Sequence, residues 1–369
     1  MDDKKEFWIF KKEVDEKMNV KKVIAKFGSI IPIRTYLNDS VARDILTNFQ
    51  ACPQGSCFAN NVIEARKDLQ IIIPAYNAEK YIGECLKSVL CQKTKYSVLA
   101  TVINDGSTDN TAEVIENIVR GFRGEKIEIE VISQENRGFS GARNAGLKTI
   151  KGKYIMFLDS DDILSDNAIE IMIDAVHRDD TDIVQGSWYE FDDTYRTENI
   201  VSSDQLSGVP WGKIYKAEVL QNFQFPEGYW FEDTPIAFIL AALSYRHKTI
   251  TDVIYGYRLN PNGITASAGY YKKSVDTYWV TEKCLEEFPL FDLPYDQRAY
   301  EFLLQQSIMN ARRTFKQPRM IRKSIFVLTN ALMKKYFNDY WTNNLEMEQI
   351  EQALKKKQFI RFEMLVHEI

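Results

Sequence analysis

From residue 69 the chain lays down four short β-rich runs, LQIIIPA, SVLATVIN, IEIEVIS and KGKYIMFL, with stretches of helical period at 78–91, 109–122 and 139–150 between them. A strand with one wet face would alternate apolar and polar residues, whereas these runs are almost continuously apolar. Strands of that kind separated by helices require a parallel sheet covered on both faces. The predicted fold class is therefore α/β, a nucleotide-binding αβα sandwich with a mostly parallel central sheet.

In open sheets of this type ligands collect beyond the carboxyl ends of the strands, where loops and helix N-termini converge. Here those ends carry PAYNAEKY (74–81), NDGSTDNT (104–111), QENRGFSGARNAG (134–146) and DSDD (159–162). Singly, each has a plain structural reading: a turn with helix-capping Ser107, Thr108 and Asp109, a flexible glycine loop, an acidic surface run. Together on one rim they point to a ligand. Neither GxGxxG nor GxxxxGK[ST] occurs at the first turn, which argues against hydride-transfer enzymes and P-loop phosphotransferases. Pro74 and Tyr76 could flank a flat base, and Asp105 could accept a hydrogen bond from a ring N–H such as that of uracil. Arg143 and Asn144 could reach ribose, base or phosphate. In FLDSDDIL, three carboxylates within four positions need a cation or strong donors among them. Asp159 and Asp161 could share Mn²⁺ or Mg²⁺, ions that take oxygen ligands and commonly hold substrate phosphates as well.

The four segments IIIPAYNAEKYIGECLKSVL, NDGSTDNT, NRGFSGARNAGL and FLDSDD, in this order and spacing, resemble the family 2 glycosyltransferases of GT-A fold, in particular bacterial surface-glycan sugar transferases. The resemblance is clear over 69–165 and looser to about 260. It implies an inverting transfer of a sugar from a UDP-sugar to an acceptor hydroxyl, with a DxD motif that holds a metal. The donor-binding residues it implies are Pro74, Ala75, Tyr76, Asn77, Glu79, Asp105, Gly138, Arg143, Asn144, Asp159, Ser160 and Asp161. Asn104 stands where many members carry an aspartate, and its role is open. Inversion needs a base for the acceptor proton. In GYWFEDTPIAF, helix chemistry alone reads Asp233 or Thr234 as an N-cap, while the family's catalytic position falls on Asp233, with Glu232 orienting or polarising it. Trp211 could stack on an acceptor sugar or belong to the core, and Asp162 could face the sugar or the next helix. Arg258 could approach the diphosphate or be a solvated loop residue.

The expected domains are a helical and turn-rich N-terminal extension over 1–67, with Phe7, Phe10, Val14 and Met18 at helical spacing, a catalytic domain over 68–268 and a helical section over 269–369. With 45% hydrophobic residues the chain can bury a large core, and its net charge of −5 gives no reason to expect nucleic acid. Five cysteines without metal spacing, no secretory-type leader and no apolar run of bilayer length predict a cytoplasmic protein. A basic run over 312–323 is either a solvated helix face or a peripheral contact with the inner face of the cell membrane. The acceptor expected is a surface polysaccharide, a lipid-linked oligosaccharide or a glycoprotein glycan, and the helical section offers a place for self-association. The QxxRW pattern of processive relatives is absent, which implies addition of one or few sugars. The competing function is a non-catalytic sugar-nucleotide-binding subunit.

Overall fold

The computed structural model describes residues 34–193, 196–243, 246–260 and 268–368. The expected N-terminal helix around Phe7 to Met18, and 261–267 of the loop after Arg258, lie outside the described residues. The chain divides into two compact units, one of Cys52–Ala268 with Trp279–Pro294, the other of Gly269–Tyr278, Tyr295–Ile369 and the chain up to Ala51.

In the first unit β1 (Val62–Ala75), β2 (Val98–Asp105), β3 (Ile127–Gln134) and β4 (Thr149–Phe157) are parallel, in the order β3-β2-β1-β4. Ile71 stands beside Ala100 on one side and Met156 on the other. Side chains alternate across β1. Leu69, Ile71 and Ile73 enter one core with Ile82, Leu86 and Val89 of α2 (Ile82–Leu90), while Ile72 enters the other core with Ala142 and Leu147. Each such burial contributes roughly 1.5–3 kcal/mol, which is why both faces of the strand read apolar. The helices α3 (Thr111–Gly121) and α4 (Gly138–Leu147) join the successive strands. A Cβ on Gly146 would lie 2.7 Å from Ile72 Cγ2, so α4 sits on the sheet at a distance that needs glycine.

The sheet continues past β4 through β8 (Lys213–Lys216), β6 (Ile183–Phe191), β9 (His247–Arg258) and β5 (Ile163–Leu164), with β7 (Arg196–Val201) paired to β6. β8 runs antiparallel to both neighbours, whereas β6 and β9 are parallel. The mostly parallel α/β expectation thus holds, with an antiparallel insert. α5 (Ala168–Asp179) covers the first core through Ile169, Met172 and Ile173, and the short α6 (Thr234–Phe238) contributes Ile236 to the second.

Two boundaries differ from the sequence reading. The third helix ends at Leu147, not 150, because Thr149 already pairs with Val62. β1 starts at Val62, and its early part carries a register shift between Ile63 and Lys67 with Ala65 at φ +47°. The polar letters of VIEARK hide that strand, and residues 52–67 belong to the α/β unit. Beyond 268 the chain is helical: α7 (Asp276–Glu287), α8 (Gln297–Arg313), α9 (Arg319–Phe337), α10 (Glu348–Lys355) and α11 (Phe359–Glu368), with α1 (Asp39–Phe49) packed on α9. Asp296 caps α8 by accepting from Ala299 N at 2.9 Å, and Pro318 precedes α9, where its missing N–H costs nothing.

Candidate active site

The register Ala75↔Asn104 and the bond from Leu158 N to Ile72 O place the ends of β1, β2 and β4 side by side. At the end of β2, Asp105 is 1% exposed. Its Oδ1 accepts from Gln134 Nε2 (2.6 Å) and from the backbone N of Arg137 (2.9 Å), while its Oδ2 is buried and has no partner among the described residues. A buried carboxylate oxygen left unpaired is costly, and a ligand N–H would relieve it. Asn104 accepts from Ser107 N at 3.2 Å and so anchors the turn, in which Gly106 takes φ +72° against the backbone of Asn136.

Several residues read as donor contacts are used within the rim itself. Asn77 Oδ1 accepts from Thr108 N at 2.8 Å, and Glu79 Oε2 accepts from the backbone N and side-chain amide of Asn110. These bonds knit the first loop to the second. Asn144 exchanges bonds with the backbone of Phe225, donating to its O and accepting from its N, both at 2.8 Å. Its amide is therefore committed to the fold and not turned to a ligand. Tyr76 is different: its ring is 51% exposed, at the end of β1 beyond Pro74 and Ala75, which are buried. Gly138, at φ +70°, opens α4, and the preceding Arg137 forks onto Glu227.

Arg143 also departs from its sequence reading. It is 5% exposed, and it donates from Nη1 to Glu232 Oε1 (2.6 Å) and from Nη2 to Asp159 Oδ1 (2.8 Å), with its guanidinium near the ring of Phe225. It is an internal strut between the DSDD turn and the ED pair, and its buried Nε is left without a hydrogen-bond partner among the described residues. Burial opposes its charge, but the two carboxylates hold its pKa above the usual arginine value. Burial pushes Glu232 up to about 7, opposed by Arg143 and aided by the charge of Asp233. Asp233 stands at the N-cap position of α6, half-buried, yet its side chain caps no N–H of that helix. The capping role left open in the sequence is not taken up.

The three aspartates of DSDD divide. Asp162 faces inward: its Oδ2 accepts from Tyr255 Oη (2.6 Å) and its Oδ1 from Arg258 N (2.7 Å). The acceptor-side reading of Asp162 is thereby corrected, since both oxygens are spent beneath the turn. Trp211 is corrected with it. Its ring stacks on Tyr255 (centroids 4.7 Å) and Tyr257 (5.1 Å), with Trp188 edge-on, so it belongs to the core. Arg258 is buried and donates to Asp161 O (2.7 Å), to Asp193 (3.0 Å) and to Glu84, so it is not the solvated loop residue and its guanidinium braces the DSDD turn. Ser160 lies half-buried between Asp159 and Asp161.

Burial and the charge of Asp159 raise Asp161, and burial with both neighbours raises Asp162. Among the described residues no group of three or more His, Cys, Asp or Glu converges as a metal cage. The donor set is two half-buried carboxylates, Asp159 and Asp161, with repulsion left over. This fits a hard cation whose remaining ligands come from substrate phosphate and water.

Sequence reasoning missed the supports: Tyr255, Gln134, Glu227 and Lys213. Lys213, on β8, is fully buried and donates to Ser207 Oγ (2.6 Å) and Val209 O (2.7 Å). Burial pushes its pKa down to about 7, countered by the charge of Asp233. Gln134, closing β3 on the same rim, was the most findable of the four.

Residues 70–239 match the family model described as Glycosyl transferase family 2. Among curated relatives, "Glycosyltransferase GlyA" of Streptococcus pneumoniae is 29% identical over 53% of this chain and 31% of its own length. "Glycosyltransferase GlyG" of the same organism is 28% identical over 53% of this chain and 72% of its own length. The crystal structure of S. aureus TarS residues 1–349 in complex with UDP-GlcNAc superposes with TM-score 0.64 at 19% identity, over 81% of this chain and 90% of that one. That likeness supports the GT-A fold. The rim motifs and the matched model agree that residues 70–239, a little under half of the chain, carry a family 2 glycosyltransferase domain.

Proposed function

We propose that the protein is a metal-dependent, inverting glycosyltransferase that moves a sugar from a UDP-sugar to a hydroxyl of a glycan acceptor. The observation that carries this reading is the Arg143 bridge. One buried guanidinium joins Asp159 of the DSDD turn to Glu232, the neighbour of Asp233, which supports a reading in which a diphosphate held at Asp159 and a base at Asp233 serve one reacting centre. The unpaired Asp105 Oδ2 suits the ring N–H of uracil, and Tyr76 offers an exposed ring for stacking. TarS binds UDP-GlcNAc and UDP in its crystals, which favours a uridine nucleotide here.

In the reaction, Asp233 takes the proton of the acceptor hydroxyl as its oxygen attacks the anomeric carbon, and the bond from that carbon to the β-phosphate oxygen breaks. Glu232, fixed by Arg143, orients and polarises Asp233. Asp159 and Asp161 would hold Mn²⁺ or Mg²⁺ with the diphosphate, and such an ion stabilises the charge that builds on the leaving group. The acceptor class we favour is a surface polysaccharide, a lipid-linked oligosaccharide or a glycoprotein glycan, with the protein in the cytoplasm and 68–268 as its catalytic part.

The test is incubation with a panel of UDP-sugars and Mn²⁺, with and without chelator. UDP release should require the metal, and Asp233→Asn should cut turnover by about 10²–10⁴-fold while leaving UDP affinity intact. Tight UDP binding with neither hydrolysis nor transfer, unchanged by Asp233→Asn, would mean a sugar-nucleotide-binding subunit instead.

A further inference from the structure

The helical unit carries a surface that the donor site does not use. GYYKKSV (269–275) and ARRTFKQPRMIRK (311–323) contain eight Lys and Arg residues and no acid. The fold brings the two segments together. Gln317 Nε2 donates to Gly269 O and to Tyr271 O, both at 2.9 Å, and Lys316 Nζ lies 5.3 Å from the centre of the Tyr270 ring. The chain turns between α8 and α9 before Pro318, and Phe315, Lys316 and Pro318 of this turn are exposed.

The surface is basic, and it is also apolar in a way that solvated helix faces rarely are. Tyr270 is 73% exposed, and Tyr271, Phe315 and Met320 are exposed to about half, 55%, 45% and 50%. Arg312, Lys316 and Arg319 are exposed among them. Glu363 reaches the edge of the surface but is already paired with Arg322, whose guanidinium lies 5.7 Å from the Phe315 ring. Exposed aromatic and thioether side chains interleaved with cations match the layering of a bilayer surface: anionic headgroups for the cations, and the headgroup–acyl boundary for rings and Met. A soluble polyanion would be matched by the cations alone and would leave the rings without purpose. Among the described residues no helix is long and apolar enough to cross a membrane, so any contact of this kind is a surface one.

We infer that Tyr270, Tyr271, Phe315 and Met320, with Lys316, Arg319 and their basic neighbours, form a docking face for anionic phospholipid. The inference is independent of the glycosyl-transfer reading. It brings the enzyme to a bilayer by charge and fixes it there by shallow burial of four side chains.

The test is sedimentation of the full chain with phosphatidylglycerol–phosphatidylcholine vesicles and with phosphatidylcholine vesicles, at low and high salt. Binding should need phosphatidylglycerol and weaken with salt. Lys316→Gln with Arg319→Gln should lower vesicle affinity about fivefold per charge removed. Phe315→Ser with Met320→Ser should weaken the binding that persists at high salt. UDP release by both pairs should match the parent, since none of these residues is placed at the donor rim, and thermal melts check that both pairs remain folded under the assay conditions. Equal partition onto the two vesicle types would overturn the proposal. So would full binding by the Phe315/Met320 pair together with complete displacement by soluble inorganic polyphosphate, which would mark a polyanion site instead.

Discussion

Arg143 on α4 and Arg258 at the end of β9 are equally sealed, 5% exposed each, yet they hold different things. Arg143 spends its guanidinium on carboxylates from two motifs more than 70 residues apart in sequence, Asp159 and Glu232. Arg258 grips one turn from behind, through Asp161 O, Asp193 and Glu84, while its backbone N holds Asp162. The first ties two motifs together; the second holds the shape of one turn. A basic residue beside a phosphate site is thus not by itself a phosphate ligand.

The contrast can be broken in order of expected effect. Arg143→Met leaves Glu232 and Asp159 without their cation, and removing one partner of a buried pair costs about 3–5 kcal/mol. Turnover should fall by about 10³-fold, within the range of a lost general base, with UDP affinity far less changed. Urea melts and UDP-release kinetics check both. Arg258→Met should destabilise by about 3 kcal/mol but lower turnover only about tenfold, mainly through the metal requirement, because the base motif is untouched. Equal loss of turnover in the two variants, compared at equal folded fraction, would erase the distinction drawn here. Tyr255→Phe removes the hydroxyl that serves Asp162 and should cost about 1–3 kcal/mol, with a small rise in the metal concentration needed.

A further test is a pH slope. Glu232 is raised from its usual 4.5 to about 7 in the folded protein, so the folded state binds its proton more tightly than the unfolded chain does. Its contribution to stability is therefore present below about pH 4.5 and is lost as pH rises through about 7. Glu232→Gln should flatten that part of the stability–pH curve, and Arg143→Met should steepen it. Melts across this window measure both slopes.

Much of this was legible before any coordinates. Four apolar runs fixed by period gave the parallel part of the sheet, and the polar segments that follow them do lie at the ends of its strands. What could not be read was which polar groups face the ligand and which face the fold. Asn77, Glu79 and Asn144 carry the right chemistry on the right loops, but they bond to Thr108, Asn110 and Phe225, partners 30 to 80 residues away. Asp162 was indistinguishable from its neighbours until Tyr255 and Arg258 came up beneath it. Trp211 looked like a sugar platform because nothing in WGKIYK announces two tyrosines that stack with it, both contributed by β9. These roles depend on strand neighbours, and neighbours are a property of topology.

The sealed amine of Lys213 makes β8 its own chemical reporter. Burial pushes its pKa down to about 7, and it donates to Ser207 Oγ and Val209 O inside the fold. A small acylating reagent can reach it only when the strand between β4 and β6 opens, so its modification in excess reagent reports the opening of that one strand in the absence of any donor or acceptor.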